Sequence, residues 1–202
     1  MWIGSDKRGW SRYAVQAKKV SVSTGRYESL NHSVSGKPQI DILNLYAKRV
    51  GAAPIYCLYN FYDCLPDWKY RCPLWNCGLP VDRFQLGCSV TPARVIKSAL
   101  QRRGMRSFLS IHSEPETIPW RCLLRCAGPH RYDHEASMSH RPPTRWPDPE
   151  EFYYEDLPPQ VQALRESVAR GLEFQLEDDV NWGRDEPLHP GWTAIVDIGL
   201  DE

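Results

Sequence analysis

Polar and apolar positions alternate from Arg12 to Lys18, and a period of two predicts a strand. Tyr13, Val15 and Ala17 form its packing face; Arg12, Ala14, Gln16 and Lys18 form the face that carries polar groups. At Pro38 the period changes. Ile40, Leu43, Ala47 and Val50 recur at three- and four-residue steps, so a helix is expected from Pro38 to Val50, with Gly51 as its stop. Ala53 to Phe61 is again strand-like, rich in Ile, Tyr and Leu. The order strand, helix, strand predicts a parallel pair joined by a right-handed crossover. Between the first strand and the helix, the Ser, Gly and Asn content of Val20 to Pro38 reads as a loop or an irregular hairpin.

Further along, Thr91-Pro92 has the form of an N-cap followed by proline at the first helical position, and the apolar spacing then carries a helix towards Gly104. Pro119 to Ala127 reads as a short helix with Trp120, Leu123 and Leu124 inward, and Pro158-Pro159 open an amphipathic helix to about Gln175. Trp192 to Leu200 reads as a final strand that closes the sheet. The segments Tyr62 to Cys88 and His140 to Pro159 are rich in Pro and aromatic residues and read as long ordered loops. The sum is an α/β fold: a mixed sheet flanked by helices, with loop-rich additions after residue 60. Residues 1–147 would form the core, and 148–202 an acidic helix and last strand packed on it as one domain.

Composition supports a single well-filled core in 202 residues, 42% of them hydrophobic and 25% charged. No apolar run reaches the length of a membrane-spanning helix. Met1 to Ser11 lacks the apolar segment of a signal peptide, so a cytoplasmic setting with reduced cysteines is expected. The net charge of zero hides a division. Residues 1–147 carry 22 Lys and Arg against 10 Asp and Glu, and residues 148–202 carry 3 against 15. A basic first part suits the phosphate backbone of nucleic acid, with Arg12, Lys19, Arg26, Arg94, Lys97 and Arg102 as candidate contacts; an acidic tail competes with it or folds against it.

Chemistry concentrates in Gly4 to Lys19. Asp6 precedes Gln16 by ten positions, and a reversal over Lys7 to Ser11 would put Asp6 on a neighbouring strand, where it could converge with Gln16 and Lys18. A carboxylate and an amide oxygen are hard ligands suited to Mg²⁺ or Mn²⁺, and an ammonium beside them orients or helps deprotonate a water and steadies negative charge. These residues resemble the metal site of the PD-(D/E)XK nuclease superfamily, in the Mrr-like variant where Gln-x-Lys, here Gln16-Ala17-Lys18, follows an Asp. PIYCLYNF, LGCSV and IPWRCLLRC are similar to segments of an uncharacterised bacterial family that shares the GxD and VQAKK block.

The resemblance implies a restriction-endonuclease-like fold, with Asp6, Gln16 and Lys18 as the catalytic set and Asp6 and Gln16 as metal ligands. In that superfamily a polar residue on the helix after the QxK strand, here Gln39, also approaches the site. An N-terminal helix with a further acidic residue and a first strand precede it there; five residues stand ahead of Asp6 here, so an N-terminally short version is expected, or one completed by another copy or a partner chain. Glu28 and Asp41 are close enough in sequence to add a carboxylate.

Two alternatives stay open. One is an inactive nuclease-fold module that binds nucleic acid or a partner protein. The other is a structural protein stapled by Zn²⁺ through Cys64, Cys72, Cys77 and Cys88, although their spacings of seven, four and ten intervening residues lack the paired Cys-x-x-Cys pattern. Cys122, Cys126, His130 and His134 invite a second metal reading, which Gly128-Pro129 opposes by breaking the helix between them.

Overall fold

The structure, a computed structural model, describes residues 2–5, 9–60, 87–102, 105–120, 123, 153–170 and 195–197. It is mixed α/β, a sheet with helices against it. Strand β2 (Gly9–Lys19) is the axis: eleven residues long, it belongs to two groups of strands. Its first part pairs antiparallel with β1 (Trp2–Ser5), which in turn pairs parallel with β9 (Ile195–Asp197). Trp10 and Ser11 also pair antiparallel with β8 (Tyr153–Tyr154). Beyond them, Tyr13 to Lys19 pair in parallel with β5 (Ala53–Tyr59), and the sheet continues antiparallel through β6 (Cys88–Pro92) and β7 (Ile118–Pro119). Among the described residues β5 is the strand paired with Ala14 to Lys19.

The crossover from β2 to β5 is built as the residue spacing predicts. Helix α1 spans Gln39–Val50 and buries Ile40, Leu43 and Ala47. It stops because Gly51 adopts left-handed backbone, φ 60° and ψ 46°, where a residue without Cβ is at ease. Before it, a 3₁₀ turn at Glu28–Asn31 and the two-residue strands β3 (Ser33–Val34) and β4 (Lys37–Pro38) order the connection; Ser35 and Gly36, both at positive φ, make the tight turn.

Helix α2 (Ala93–Gln101) starts one residue later than Thr91-Pro92 suggests. Thr91 is a buried strand residue whose hydroxyl is bound by the Thr117 hydroxyl at 3.1 Å, so it is not free to cap. Pro92 stands at the cap position instead. Strands β7 and β8 arise where a helix and a loop were expected, β6 runs from the end of an expected loop into the expected helix start, and the short helix α3 (Phe108–His112) falls in a stretch for which the residue pattern predicts no element. Pro119 lies in β7 and not in a helix; Trp120 and Leu123 nevertheless pack inward as expected. Helix α4 (Pro159–Ala169) matches the described part of the predicted C-terminal helix.

Both faces of the sheet are covered, as suits a parallel pair. One face holds the larger core, in which Ala14, Val20, Tyr56 and Leu58 meet Ile40, Leu43, Ala47, Ile96, Phe108 and Ile111. The other holds Ile55, Val90 and Ile118 with Tyr13 and Val15 against them. The face expected to be polar is therefore the more deeply buried, and Lys18 goes in with it. A polar network runs through the larger core. The Tyr27 hydroxyl donates to Asn60 Oδ1, Asn60 Nδ2 to Ser89 Oγ at 3.1 Å, and Ser89 Oγ lies 2.8 Å from Nε2 of His112, whose ring stacks on Phe108.

Candidate functional site

The site is built where β2, the 3₁₀ turn and the start of α1 meet. Lys18, two residues from Gln16 on the same strand face, is 6% exposed. Its Nζ donates to the Ser29 carbonyl oxygen at 2.8 Å and to Oε1 of Gln39, the first residue of α1. The Gln39 backbone N–H donates to His32 O at 3.0 Å, which fixes that first turn against the preceding hairpin. An ammonium has three donors, and two are used here on neutral oxygens. Among the described residues no carboxylate pairs with it. Burial pushes the amine below its ordinary value, because the charged form loses hydration that neutral partners only partly replace.

Gln16 is half-buried and directs Nε2 to Ala17 O at 3.2 Å, leaving Oε1 without a hydrogen bond among the described residues. In the parallel ladder its partner is Tyr56. The Tyr56 hydroxyl is fully buried with no hydrogen-bond partner among the described residues. It is held protonated, pushed up to about 12, first by burial and then by the charge of Asp41 in the first turn of α1. Glu28, the other nearby acid, is exposed and accepts a bond from the Thr24 hydroxyl at 2.9 Å.

Asp6 lies outside the described residues. On the described strands Ser5 faces Gly9, and Gln16 stands seven residues further along β2, roughly 23 Å of extended chain. The described donors beside Gln16 do not by themselves suit Mg²⁺: one neutral amide oxygen is available where such a cation asks for carboxylates. No group of three or more His, Cys, Asp or Glu that could hold a metal occurs among the described residues.

The cationic candidates separate by environment. Arg12 donates to Val50 O at 2.5 Å, tying β2 to the end of α1. Lys19 and Lys97 are exposed, and Arg26 is half-buried, bridging to Ser107. Arg94 pairs with Glu116 at 2.5 Å and Arg102 lies 3.6 Å from Glu114, so part of their charge is answered within the chain. Of the mid-chain cysteines, Cys64, Cys72 and Cys77 lie outside the described residues, as do Cys122, Cys126, His130 and His134. Cys88 is described, and its Sγ lies 3.2 Å from Cys57 Sγ. Ser29 and Tyr56 were not singled out by sequence. Tyr56 was within reach, since a parallel crossover pairs a residue of Ala53 to Phe61 with Gln16; Ser29, which acts through its backbone, leaves no side-chain signal.

The fold and this geometry define a mixed α/β protein centred on a buried lysine. Residues 1–187 match a family of unknown function (DUF6615), and the chain belongs to that family. Neither a curated protein nor a solved structure matches it. Among the described residues no helix is long and apolar enough to cross a membrane.

Proposed function

We propose that this chain is a nuclease-like protein that hydrolyses nucleic-acid phosphodiester bonds, with Lys18 and Gln16 at the centre of its site. The observation that carries the reading is the buried Lys18 amine, held by neutral oxygens and lacking a carboxylate partner among the described residues. Such a cation costs stability and is the kind of group that functional sites retain. It stands two residues from Gln16, on a strand that crosses through one helix to a parallel neighbour. That arrangement agrees with the resemblance to the Mrr-like nucleases.

In this reading Lys18 offers its remaining donor to a phosphate oxygen or to the attacking water, and Gln39 holds the amine in place. A divalent cation, Mg²⁺ or Mn²⁺, would supply Lewis acidity, with Gln16 Oε1 as one ligand; the resemblance names Asp6 as the carboxylate, but its neighbour Ser5 pairs with Gly9, seven residues along β2 from Gln16, so an ion at Gln16 would need a nearer acid. Asp41, in the first turn of α1, is an acid whose charge adds to the rise at Tyr56, the ladder partner of Gln16. The test is cleavage of DNA and RNA by purified protein with Mg²⁺ or Mn²⁺, beside Lys18→Ala, Asp6→Ala and Asp41→Ala. Cleavage lost in Lys18→Ala supports the reading, and the acidic variants report which carboxylate serves. An inactive wild type, or equal cleavage by Lys18→Ala, overturns it.

A second reading takes the edge of Ala14 to Lys19, which has no second partner strand among the described residues. There a strand from a partner chain could add to the sheet beside Gln16 and Lys18, as in β-augmentation. The chain would then be a binding module. Partner or nucleic-acid binding without cleavage distinguishes it.

A further inference from the structure

Strands β5 and β6 are antiparallel, with Cys57 opposite Val90 and Tyr59 opposite Cys88. Cys57 and Cys88 are therefore diagonal neighbours on one face, and the twist of the pair brings their sulfurs to 3.2 Å. Neither is in a disulfide. We propose that Cys57 and Cys88 are a redox-active dithiol, a modification site at which a peroxide converts the pair to a disulfide.

The two thiols are inequivalent, as this chemistry requires. Cys57 is drawn below its ordinary value by the hydrogen bond with Cys88, against the opposing effect of burial and with help from Tyr59; Cys88 is raised by the same bond, by burial and by the Cys57 charge. Of the two, Cys57 gives up its proton the more readily and Cys88 keeps it, so Cys57 is assigned as the nucleophile. Cys57 itself is buried, and the surface nearest to it is formed by its neighbours. Cys88 is partly exposed, and Ala17 and Tyr59, the neighbours of Cys57 across and along the sheet, are exposed.

Cys57 Sγ attacks one peroxide oxygen, the O–O bond breaks, and the other oxygen leaves as hydroxide and is protonated to water, giving a sulfenic acid at Cys57. Cys88 Sγ then attacks that sulfur; the S–O bond breaks and hydroxide leaves, taking the Cys88 proton as a second water. The two sulfurs give up two electrons and the peroxide accepts them. The new bond joins β5 to β6 and closes the chain between residues 57 and 88 into a loop.

The test uses the full chain, with all seven cysteines reduced. It is treated with one equivalent of hydrogen peroxide, alkylated, digested and mapped by mass spectrometry. The expected result is loss of two alkylatable thiols and a peptide linking Cys57 to Cys88, with no such preference when oxidation is run in denaturant. In Cys88→Ser, dimedone should trap the sulfenic acid on Cys57. Cys57 and Cys88 remaining alkylatable while other cysteines oxidise, or Cys88 linking instead to Cys64, Cys72 or Cys77, overturns the proposal.

Discussion

Lys18 Nζ donates to Oε1 of Gln39, so a residue near the end of β2 and the first residue of α1 hold one another across the entrance to the helix. Replacing the lysine changes two opposed quantities. Lys18→Met removes the cost of a buried charge, and it strands the acceptors Ser29 O and Gln39 Oε1. Each effect is about 1–3 kcal/mol. The expected outcome is an unfolding free energy within about 1 kcal/mol of wild type, read by urea denaturation; on the proposed function, nucleic-acid cleavage is lost with it. A loss of several kcal/mol would mark Lys18 as a structural residue and weaken its assignment to chemistry.

The Tyr56 hydroxyl offers a second separation of stability from function. It is buried without a hydrogen-bond partner among the described residues, beside Gln16 in the ladder. A stranded donor costs about 1–3 kcal/mol, so Tyr56→Phe should raise the unfolding free energy by about 1 kcal/mol. If the hydroxyl serves the proposed site, the same variant loses cleavage while it gains stability. A less stable Tyr56→Phe would show that the hydroxyl has a partner in the folded protein.

The elements around Lys18 were legible because their signals are local. Alternation gives β2, the three- and four-residue spacing gives α1, and Gly51 gives its end; a crossover long enough to hold that helix then points to a parallel β5. What was not legible depends on partners distant in sequence. Thr91 looks like a cap until Thr117 occupies its hydroxyl. Strands of two residues such as β7 and β8 have no period of their own and exist through β6 and β2. Register was the largest gap. The ten-residue interval between Asp6 and Gln16 is compatible with several hairpins, and pairing Ser5 with Gly9 is one that sequence spacing does not select.

His112 makes stability depend on pH. It is fully buried, its Nδ1 lies 2.9 Å from Phe108 O, and its Nε2 faces Ser89 Oγ, an arrangement that suits the neutral ring. Burial lowers its value from 6.5 to about 4, with the Phe108 carbonyl opposing. A base depressed on folding binds its proton more readily when unfolded, so its contribution is intact above about 6.5 and is lost as pH falls towards 4. The loss is roughly 3 kcal/mol. Urea denaturation between pH 7 and 4 should show a shallower fall for His112→Gln than for wild type. Equal slopes would mean the imidazole is protonated as easily folded as unfolded.

Gly51 and Tyr154 couple the end of α1 to β8. The Tyr154 hydroxyl donates to Gly51 O at 2.7 Å, and a Cβ on Gly51 would run into that same hydroxyl. Gly51→Ala therefore meets two penalties: left-handed backbone, about 1–2 kcal/mol, and displacement of the tyrosine with loss of its bond, about 1 kcal/mol more. In a Tyr154→Phe background the second penalty is gone and the first remains. A double-mutant cycle by denaturation should then give a coupling of about 1 kcal/mol between the two positions. Zero coupling would mean that Tyr154 does not rest on Gly51 in solution.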